Sequence, residues 1–225
     1  MFFHGRNLFS KEPFFWSSTI IFENYLNINN LSDKVQKVSV IIPARNEEKS
    51  IEHTLDKLIR QRKYISEIIL VNDQSSDKTV YLSEKKFREF RFTNFKIVTI
   101  KNLPSKWSGK IWALNQGVNE ALKKKENKYL LFLDADISLD SDVINKVVSI
   151  CMMKNFSMIS IMAKLNCSKK WEFFFIPAFI FFFQKLYPFN LVNKVESKIS
   201  AAAGGCMLCR SEIFRKSKVF EKIKG

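Results

Sequence analysis

Short apolar runs alternate with amphipathic stretches over residues 38–153 of this chain. Each run is too short for a helix and stops at a polar or proline residue, so each predicts a buried β-strand. The strands predicted in this way cover residues 38–43, 67–71, 96–100 and 129–133. Between them, helical spacing of apolar residues predicts helices from about residue 48, from 78 to about 90 and from about 110. This alternation predicts an α/β fold, a three-layer sandwich with a mostly parallel central sheet.

The pattern continues less regularly after residue 140. It predicts a helix over residues 141–153, a strand over 157–163 and a short strand over 206–210. Residues 171–187 are apolar all round, and the pattern predicts a helical segment that is broken at Pro177 and ended at Pro188. Residues 1–36 have no clear period and predict an irregular or short-helical lead-in.

Polar residues follow three of the predicted strands. Asn46 and Glu47 follow the first, Asn72 and Asp73 end the second, and an Asp-Ala-Asp sequence ends the fourth. In open parallel sheets, ligands bind in the crevice beyond the carboxyl ends of the strands. These polar residues therefore predict a binding site at that edge of the sheet.

Asp134 and Asp136 carry the most specific chemistry of this edge. Side chains two residues apart in an extended segment point to the same side. Two carboxylates on one side suit Mg²⁺ or Mn²⁺, and such an ion commonly also holds substrate phosphates. The alternative, which the dipeptide pattern alone leaves open, is that one Asp caps the next helix and the other is solvated.

Composition adds a class of partner. The net charge is +15, from 37 Lys and Arg against 22 Asp and Glu, which favours anionic lipid headgroups, phosphorylated substrates or nucleic acid. No RNA- or DNA-binding motif is present, so we expect no nucleic-acid partner. The four Cys residues show no disulfide-framework spacing, which favours a reducing, cytoplasmic location.

The segment over residues 171–189 is the most apolar part of the chain. Its longest apolar run, 173–183, is too short to span a bilayer. Apolarity on every side is typical of a core helix or of a helix in the membrane interface. Lys169, Lys170 and Lys185 flank the run and favour an anionic membrane surface as its partner.

Several of these motifs resemble those of family 2 glycosyltransferases with the GT-A fold. Residues 38–48 resemble the opening motif of the family, residues 72–79 resemble its Asp-Asp-x-Ser-x-Asp motif, and residues 134–136 match its Asp-x-Asp. Asn72 stands where the family usually has the first Asp of the second motif. A narrower resemblance is to the glycosyltransferases associated with hopanoid biosynthesis. It is carried by residues 107–114, 177–179, 186–189 and 201–208.

The resemblance implies a GT-A, Rossmann-like domain over residues 37–225 and a donor site at the carboxyl edge of its sheet. The implied donor-binding residues are Pro43, Ala44, Arg45, Asn46, Glu47, Asp73, Lys110, Asp134 and Ala135. Asp73 would contact the base, Asp134 would lie near the ribose and Lys110 near the phosphates. The implied metal ligands for Mg²⁺ or Mn²⁺ are Asp134 and Asp136. The acceptor would lie by Gly204, Gly205 and Cys206.

Ordinary structural roles remain open for several of these residues. Asp73 could be a turn residue, Glu47 could favour the start of a helix, and Arg45 could be solvated. Lys110 differs, because a cation at the start of a helix opposes the macrodipole and a bound diphosphate would supply a reason for it.

The resemblance also implies an activity and a location. A sugar would move from a nucleotide-sugar donor to a hopanoid-type or polyprenyl-like lipid at the cytoplasmic face of the inner membrane. In this family the acceptor-activating carboxylate lies beyond the Gly-Gly stretch, which would place it after Gly225, and membrane helices would follow. We therefore expect a C-terminally incomplete chain, peripheral where the intact parent is integral. The alternative is a non-catalytic nucleotide-sugar-binding remnant.

Overall fold

The computed structural model describes residues 36–163, 170–193 and 197–223. The predicted lead-in over residues 1–36 lies outside this range except for its last position. The chain divides into two compact units. The described part of one unit comprises residues 36–159 and 204–223. The described part of the other comprises 160–163, 170–193 and 197–203.

The strands of the described residues form one six-stranded sheet. They are β1 (Val38–Ala44), β2 (Ile65–Asn72), β3 (Phe95–Thr99), β4 (Tyr129–Leu133), β5 (Met158–Ile161) and β6 (Cys206–Arg210). Their spatial order is β3-β2-β1-β4-β6-β5. Pairing is parallel between β1 and β2, β1 and β4, and β2 and β3, whereas β6 runs antiparallel to β4. The predicted α/β fold with a mostly parallel sheet is confirmed.

Helices connect the parallel strands. The helices of the described residues are α1 (Ile51–Ile59), α2 (Thr79–Glu89), α3 (Gly109–Ala121), α4 (Val143–Met153), α5 (Glu172–Leu186), α6 (Phe189–Val192), α7 (Ser211–Lys216) and α8 (Val219–Lys222). Helices α1 to α3 begin within three residues of the starts that apolar spacing predicts. Periodicity located these elements because the apolar side of each one is buried.

Helix α3 packs across β1 and β2. This packing sets the position of the residues at the start of α3, which belong to the candidate site. Gly117 makes the approach close, since a Cβ atom there would collide with the side chain of Ile41. Ile41, Ile69 and Val71 share one buried cluster with the apolar face of α3. Strand residues alternate between faces, and their neighbours are also fully buried, so β1 and β2 are covered on both faces.

Near the amino ends of β1, β2 and β4 lies a polar group that we call the amino-edge cluster: the buried Ser39, Glu67 and Asn127 and the partly exposed Lys124. The side chain of Glu67 is 2% exposed. Its Oε1 accepts hydrogen bonds from Ser39 Oγ (3.0 Å) and Asn127 Nδ2 (2.6 Å). Its Oε2 lies 2.8 Å from Lys124 Nζ. Asn127 also donates to the carbonyl of Ala121 at the end of α3, so the cluster ties this helix to the sheet.

Helix α5 corrects one prediction. The helix runs continuously from Glu172 to Leu186 with Pro177 inside it, so the predicted break is wrong. Pro177 is the sixth residue of the helix, where proline removes one N–H and its ring crowds the carbonyl four residues earlier. The helix nevertheless continues on both sides of it. The helix then ends two residues before Pro188, as the residue before a proline disfavours helix.

Helix α5 has no buried residue, and several of its large side chains are among the most exposed of the described chain. Phe174 is 80% exposed, Leu186 72% and Phe182 65%. None of the described helices is both long enough and apolar enough to cross a membrane.

Candidate functional site

The loops that follow β1, β2 and β4 meet at one edge because these strands are parallel neighbours. The register aligns Ala44 with Asn72, so both strands stop at the same level. The amide of Asp73 continues the ladder by donating to the carbonyl of Ala44 at 2.9 Å. Arg45 and Asp73, the next residues of the two strands, are thereby placed side by side.

Asp73 lies in a confined position between the β1 loop and the start of α3. Its side chain is 11% exposed, and its Oδ2 lies 3.7 Å from Nη1 of Arg45, whose side chain is 65% exposed. A Cβ atom at Gly109 would lie 2.8 Å from the same oxygen. The absence of a side chain at Gly109 therefore makes room for the Asp73 carboxylate beside the first turn of α3.

Lys110 links the start of α3 to the end of β4. Its Nζ lies 2.7 Å from Asp134 Oδ1 and 2.8 Å from Asp134 Oδ2, so it engages both carboxylate oxygens. The side chains of Lys110 and Asp134 are 53% and 27% exposed. This contact explains how a cation can be stable at the start of a helix, because the carboxylate offsets the unfavourable interaction with the macrodipole. Both groups still face solvent and can meet a ligand.

Backbone contacts with the strand β6 hold Asp134 in place. Its amide donates to the carbonyl of Gly205 at 2.9 Å. A side chain on Gly205 would collide with Ile137 and come within 3.5 Å of Asp134 Oδ2. Cys206 is buried, and burial, with the nearby Asp134 charge, raises the pKa of its thiol to about 12. Its side chain is therefore a packing group, and only its backbone could face a ligand.

Asp136 and Ala135 play different parts in the loop after β4. Ala135 is buried, and its carbonyl accepts a hydrogen bond from Thr54 Oγ1 at 2.8 Å, which anchors the loop to α1. Asp136 is exposed. Its carboxylate makes no hydrogen bond or ion pair with another residue of the described chain. The loop thus presents one free carboxylate beside the paired Asp134.

The structure brings most of the predicted site residues to one edge. Asp73, Gly109, Lys110, Asp134 and Gly205 form a continuous series of contacts. Pro43 and Glu47 are partly exposed there, whereas Ala44 is buried and takes part through its carbonyl. Gly204 is exposed, with no atom within 4 Å of where its Cβ would be.

Sequence reasoning missed the importance of Asp77 and Thr79. Lys78 directly precedes α2 and makes no side-chain cap bond. The carboxylate of Asp77, one residue earlier, accepts hydrogen bonds from the amide of Thr79, the first residue of α2, and from the amide of Glu48, at 3.0 Å each. The available signal was an unbroken polar run over residues 73–79.

These observations define the class of protein: an α/β sandwich with carboxylates and cations gathered at the carboxyl edge of its parallel strands. A model of the family described as Glycosyl transferase family 2 matches residues 39–217. The match covers most of the chain and the whole edge described above. The chain belongs to glycosyltransferase family 2.

Curated relatives are similar over a part of the chain. It is 34% identical over 125 residues to the 4,4′-diaponeurosporenoate glycosyltransferase of Staphylococcus aureus strain bovine RF122 / ET3-1 and 32% identical over 125 residues to that of strain USA300. The matches cover 55% of this chain, but only 29% and 30% of those proteins. Neither relative is named for a hopanoid, so the narrower resemblance stays a prediction.

Solved structures share the fold. The mannosyltransferase PcManGT from Pyrobaculum calidifontis, in complex with GDP-Man and Mn²⁺, gives a TM-score of 0.58 at 18% identity. That match covers 89% of this chain and 54% of the mannosyltransferase. Residues 1–349 of TarS from S. aureus, in complex with UDP-GlcNAc, give a TM-score of 0.57 at 19% identity, over 82% of this chain and 48% of that chain. The GT-A fold is confirmed.

Proposed function

We propose that this chain carries the donor site of an enzyme that moves a sugar from a nucleotide-diphosphate donor to a lipid-type acceptor, hopanoid or polyprenyl-like. One observation carries the proposal. The first two residues of α3, Gly109 and Lys110, join Asp73 at the end of β2 to Asp134 at the end of β4. A base-side carboxylate and a phosphate-side cation are thus held a short distance apart, as a nucleoside diphosphate requires. PcManGT and TarS, which share the fold, were solved with such donors.

The positions of these residues support a role for each of them. Asp73 is nearly buried and can accept a hydrogen bond from a base, while the exposed Arg45 beside it can face the nucleotide. Pro43, Ala44, Asn46 and Glu47 shape the wall of the pocket, and Ala135 shapes the floor. Asp134 would lie near the ribose. Gly204, Gly205 and the backbone of Cys206 border the acceptor side.

Lys110 is the proposed charge-stabilising group. Its ammonium is half exposed and is held at the start of α3 by contacts with both Asp134 oxygens. When the bond from sugar to diphosphate breaks, negative charge grows on the departing diphosphate. A cation already held in place stabilises that charge without first having to reorganise.

Asp134 and Asp136 are the proposed ligands of Mg²⁺ or Mn²⁺, which as a Lewis acid would stabilise the departing diphosphate. Their hard carboxylate oxygens fit such an ion. The described residues contain no group of three or more His, Cys, Asp or Glu side chains suited to a metal. The protein would therefore supply few ligands and leave the rest to phosphate and water, which is usual for Mg²⁺.

Titration calorimetry with UDP and with GDP, with and without Mn²⁺, tests the donor site. We expect Mn²⁺-dependent binding by the wild-type chain and binding on the order of 100-fold weaker, or about 2.8 kcal/mol, for Asp136→Ala. Asp140→Ala is the matched control, because it removes the same charge from an exposed position of the same loop. Equal Mn²⁺-dependent binding by wild type and Asp136→Ala would remove Asp136 from the site.

The lipid side of the proposal depends on α5. We propose that residues 171–189 lie in the interface of an anionic membrane at the cytoplasmic face of the inner membrane, which holds this chain peripherally. The exposed Phe side chains would enter the acyl boundary while Lys170 and Lys185 remain at the headgroups. The net charge of +15 supports an anionic surface.

Flotation with liposomes of anionic and of neutral composition tests this interface. We expect the wild-type chain to float with anionic liposomes, and the double variant Phe179→Asp and Phe182→Asp to remain at the bottom of the gradient. Tyr81→Asp is the control, because Tyr81 is a comparably exposed aromatic residue on α2. Equal flotation of the double variant and the wild type would contradict the proposal.

A further inference from the structure

The loop after β1 and the loop that leads into α2 are joined by hydrogen bonds, and we call the five of them that start from a backbone amide the loop interlock. They run from Asn46 N to Ser75 Oγ (3.1 Å), Ser76 N to Asn46 Oδ1 (2.8 Å), Glu47 N to Thr79 Oγ1 (2.7 Å), Glu48 N to Asp77 Oδ2 (3.0 Å) and Lys78 N to Glu48 Oε2 (3.2 Å). Every one pairs a backbone amide with a side-chain oxygen from the other loop. The interlock therefore fixes the path of both backbones.

Thr79 is the buried centre of the interlock. It is fully buried, and its Oγ1 accepts from the amide of Glu47 while donating to Asp77 Oδ1 at 2.5 Å. A hydroxyl has one proton and two lone pairs, so the acceptor of its proton decides which way the lone pairs face. With the proton on the Asp77 side, a lone pair is left for the amide of Glu47.

The charge state of Asp77 supports this polarity. Partial desolvation raises the pKa of Asp77, but hydrogen bonds from the side chain and amide of Thr79 and from the amide of Glu48 outweigh it. The pKa therefore lies below its ordinary value. Asp77 is ionised at neutral pH and can only accept. Each group in this series therefore donates to the next: the Glu47 amide to the Thr79 hydroxyl, and the Thr79 hydroxyl to the Asp77 carboxylate.

The interlock also holds an uncommon backbone in place. Asn46 and Gln74 have φ of 55° and 56°, in the left-handed region that side-chain-bearing residues seldom adopt. Such residues persist where the surrounding structure holds them. Asn46 follows Arg45 directly and Gln74 follows Asp73 directly, so the orientation of both proposed nucleotide contacts depends on these two turns.

We propose that Thr79 is a positioning residue for the nucleotide: its hydroxyl holds the β1 loop so that Arg45 and Asp73 face one pocket. Thr79 itself does not touch the ligand in this arrangement. The inference rests on the proposed function and adds a residue that neither the charge pattern nor the strand ends indicated.

The test compares Thr79→Val, which keeps the shape and removes the hydroxyl, with Thr79→Ser, which keeps the hydroxyl. Calorimetry with UDP and GDP in the presence of Mn²⁺ should show at least tenfold weaker binding for Thr79→Val and near wild-type binding for Thr79→Ser. Amide hydrogen exchange of Asn46 and Glu47 should accelerate in the Val variant alone. If Thr79 had a merely structural role, weaker nucleotide binding would not accompany faster exchange of Asn46 and Glu47, and Thr79→Ser would not keep the affinity near wild type.

Ser83→Ala is the matched control. Ser83 is also fully buried in α2 and donates to the carbonyl of Thr79 at 2.8 Å, but makes no bond to the β1 loop. It should lower the melting temperature without changing nucleotide affinity. Wild-type affinity in Thr79→Val, or weaker binding without faster exchange of the β1 loop, would overturn the inference.

Two further outcomes remain informative. A wild-type chain that binds neither UDP nor GDP overturns the proposed function, and with it this inference, whereas binding by wild type and Thr79→Val alike overturns the inference alone. If Thr79→Val fails to fold, Asp77→Ala removes the partner of the hydroxyl proton at a less buried position. The same tenfold loss is expected of it, and unchanged binding would again contradict the inference.

Discussion

The carboxylates at the two ends of the central strands differ in burial and in hydrogen-bond partners. At the amino edge, Glu67 is buried, and both of its oxygens are engaged by Ser39, Asn127 and Lys124. At the carboxyl edge, Asp136 is exposed and has no partner within the described chain. Both groups belong to the same three-strand core of the sheet, so the difference arises from the loops and helices around them.

The difference separates a structural carboxylate from one that is proposed to bind a ligand. A buried charge is stable only when hydrogen bonds and an opposite charge replace its lost water, and Glu67 has both. No buried side-chain nitrogen or oxygen of the described residues lacks a hydrogen-bond partner. Asp136 is exposed to solvent instead, and a cation could replace that solvent. Burial and hydrogen bonding, more than residue type, therefore distinguish the two carboxylates.

The largest expected effect that tests this comparison comes from Glu67→Ala. It leaves Ser39 Oγ and the Asn127 amide without their acceptor, which should cost about 1–3 kcal/mol of unfolding free energy. Urea denaturation measures the loss, and calorimetry should show unchanged nucleotide affinity. A fall in affinity with stability intact would place Glu67 in the site and break the comparison.

Gly109→Ala tests the carboxyl edge of this comparison. The new Cβ would lie 2.8 Å from Asp73 Oδ2 and must displace that carboxylate. Nucleotide affinity should fall about tenfold, or about 1.4 kcal/mol, as measured by calorimetry. Ser108→Ala is the control, since Ser108 is exposed and makes no side-chain cap bond to α3. Equal losses in both variants would mean that the helix start, and not Asp73, is affected.

Lys124→Met should have the smallest effect. Lys124 is 41% exposed, so its pairing with Glu67 is screened by water on one side. The expected loss is about 1 kcal/mol or less of unfolding free energy, measured by urea denaturation beside Glu67→Ala. A larger loss than that of Glu67→Ala would mean that the ion pair, and not the hydrogen bonds from Ser39 and Asn127, stabilises the amino edge.

The two edges were also unequally predictable. The carboxyl edge was visible in sequence because polar residues interrupt apolar runs at Asn72, Asp73 and Asp134, and parallel strands bring such interruptions together. The amino-edge cluster was not, because Ser39, Glu67 and Asn127 look like ordinary polar positions and are separated by 28 and 60 residues. Nothing local indicates that they meet.

Two predictions show where local reasoning stops. The pattern predicted a break at Pro177, but the loss of one helix bond does not end α5, which continues through it. The cation Lys110 looked like a phosphate ligand, and the structure adds that it already pairs with Asp134. The sequence indicated a diphosphate as the partner of Lys110 and did not indicate Asp134.

The sequence by itself determined the strands, the helices between them and the edge at which the site lies, because apolar periodicity and strand ends are properties of neighbouring residues. Only the tertiary structure decided the pairing of β6, the contact of Lys110 with Asp134, the room that Gly109 leaves for Asp73 and the interlock around Thr79. These depend on groups far apart in the chain that approach to within a hydrogen-bond length. Such distances are set by how helices pack on the sheet, which local sequence does not encode.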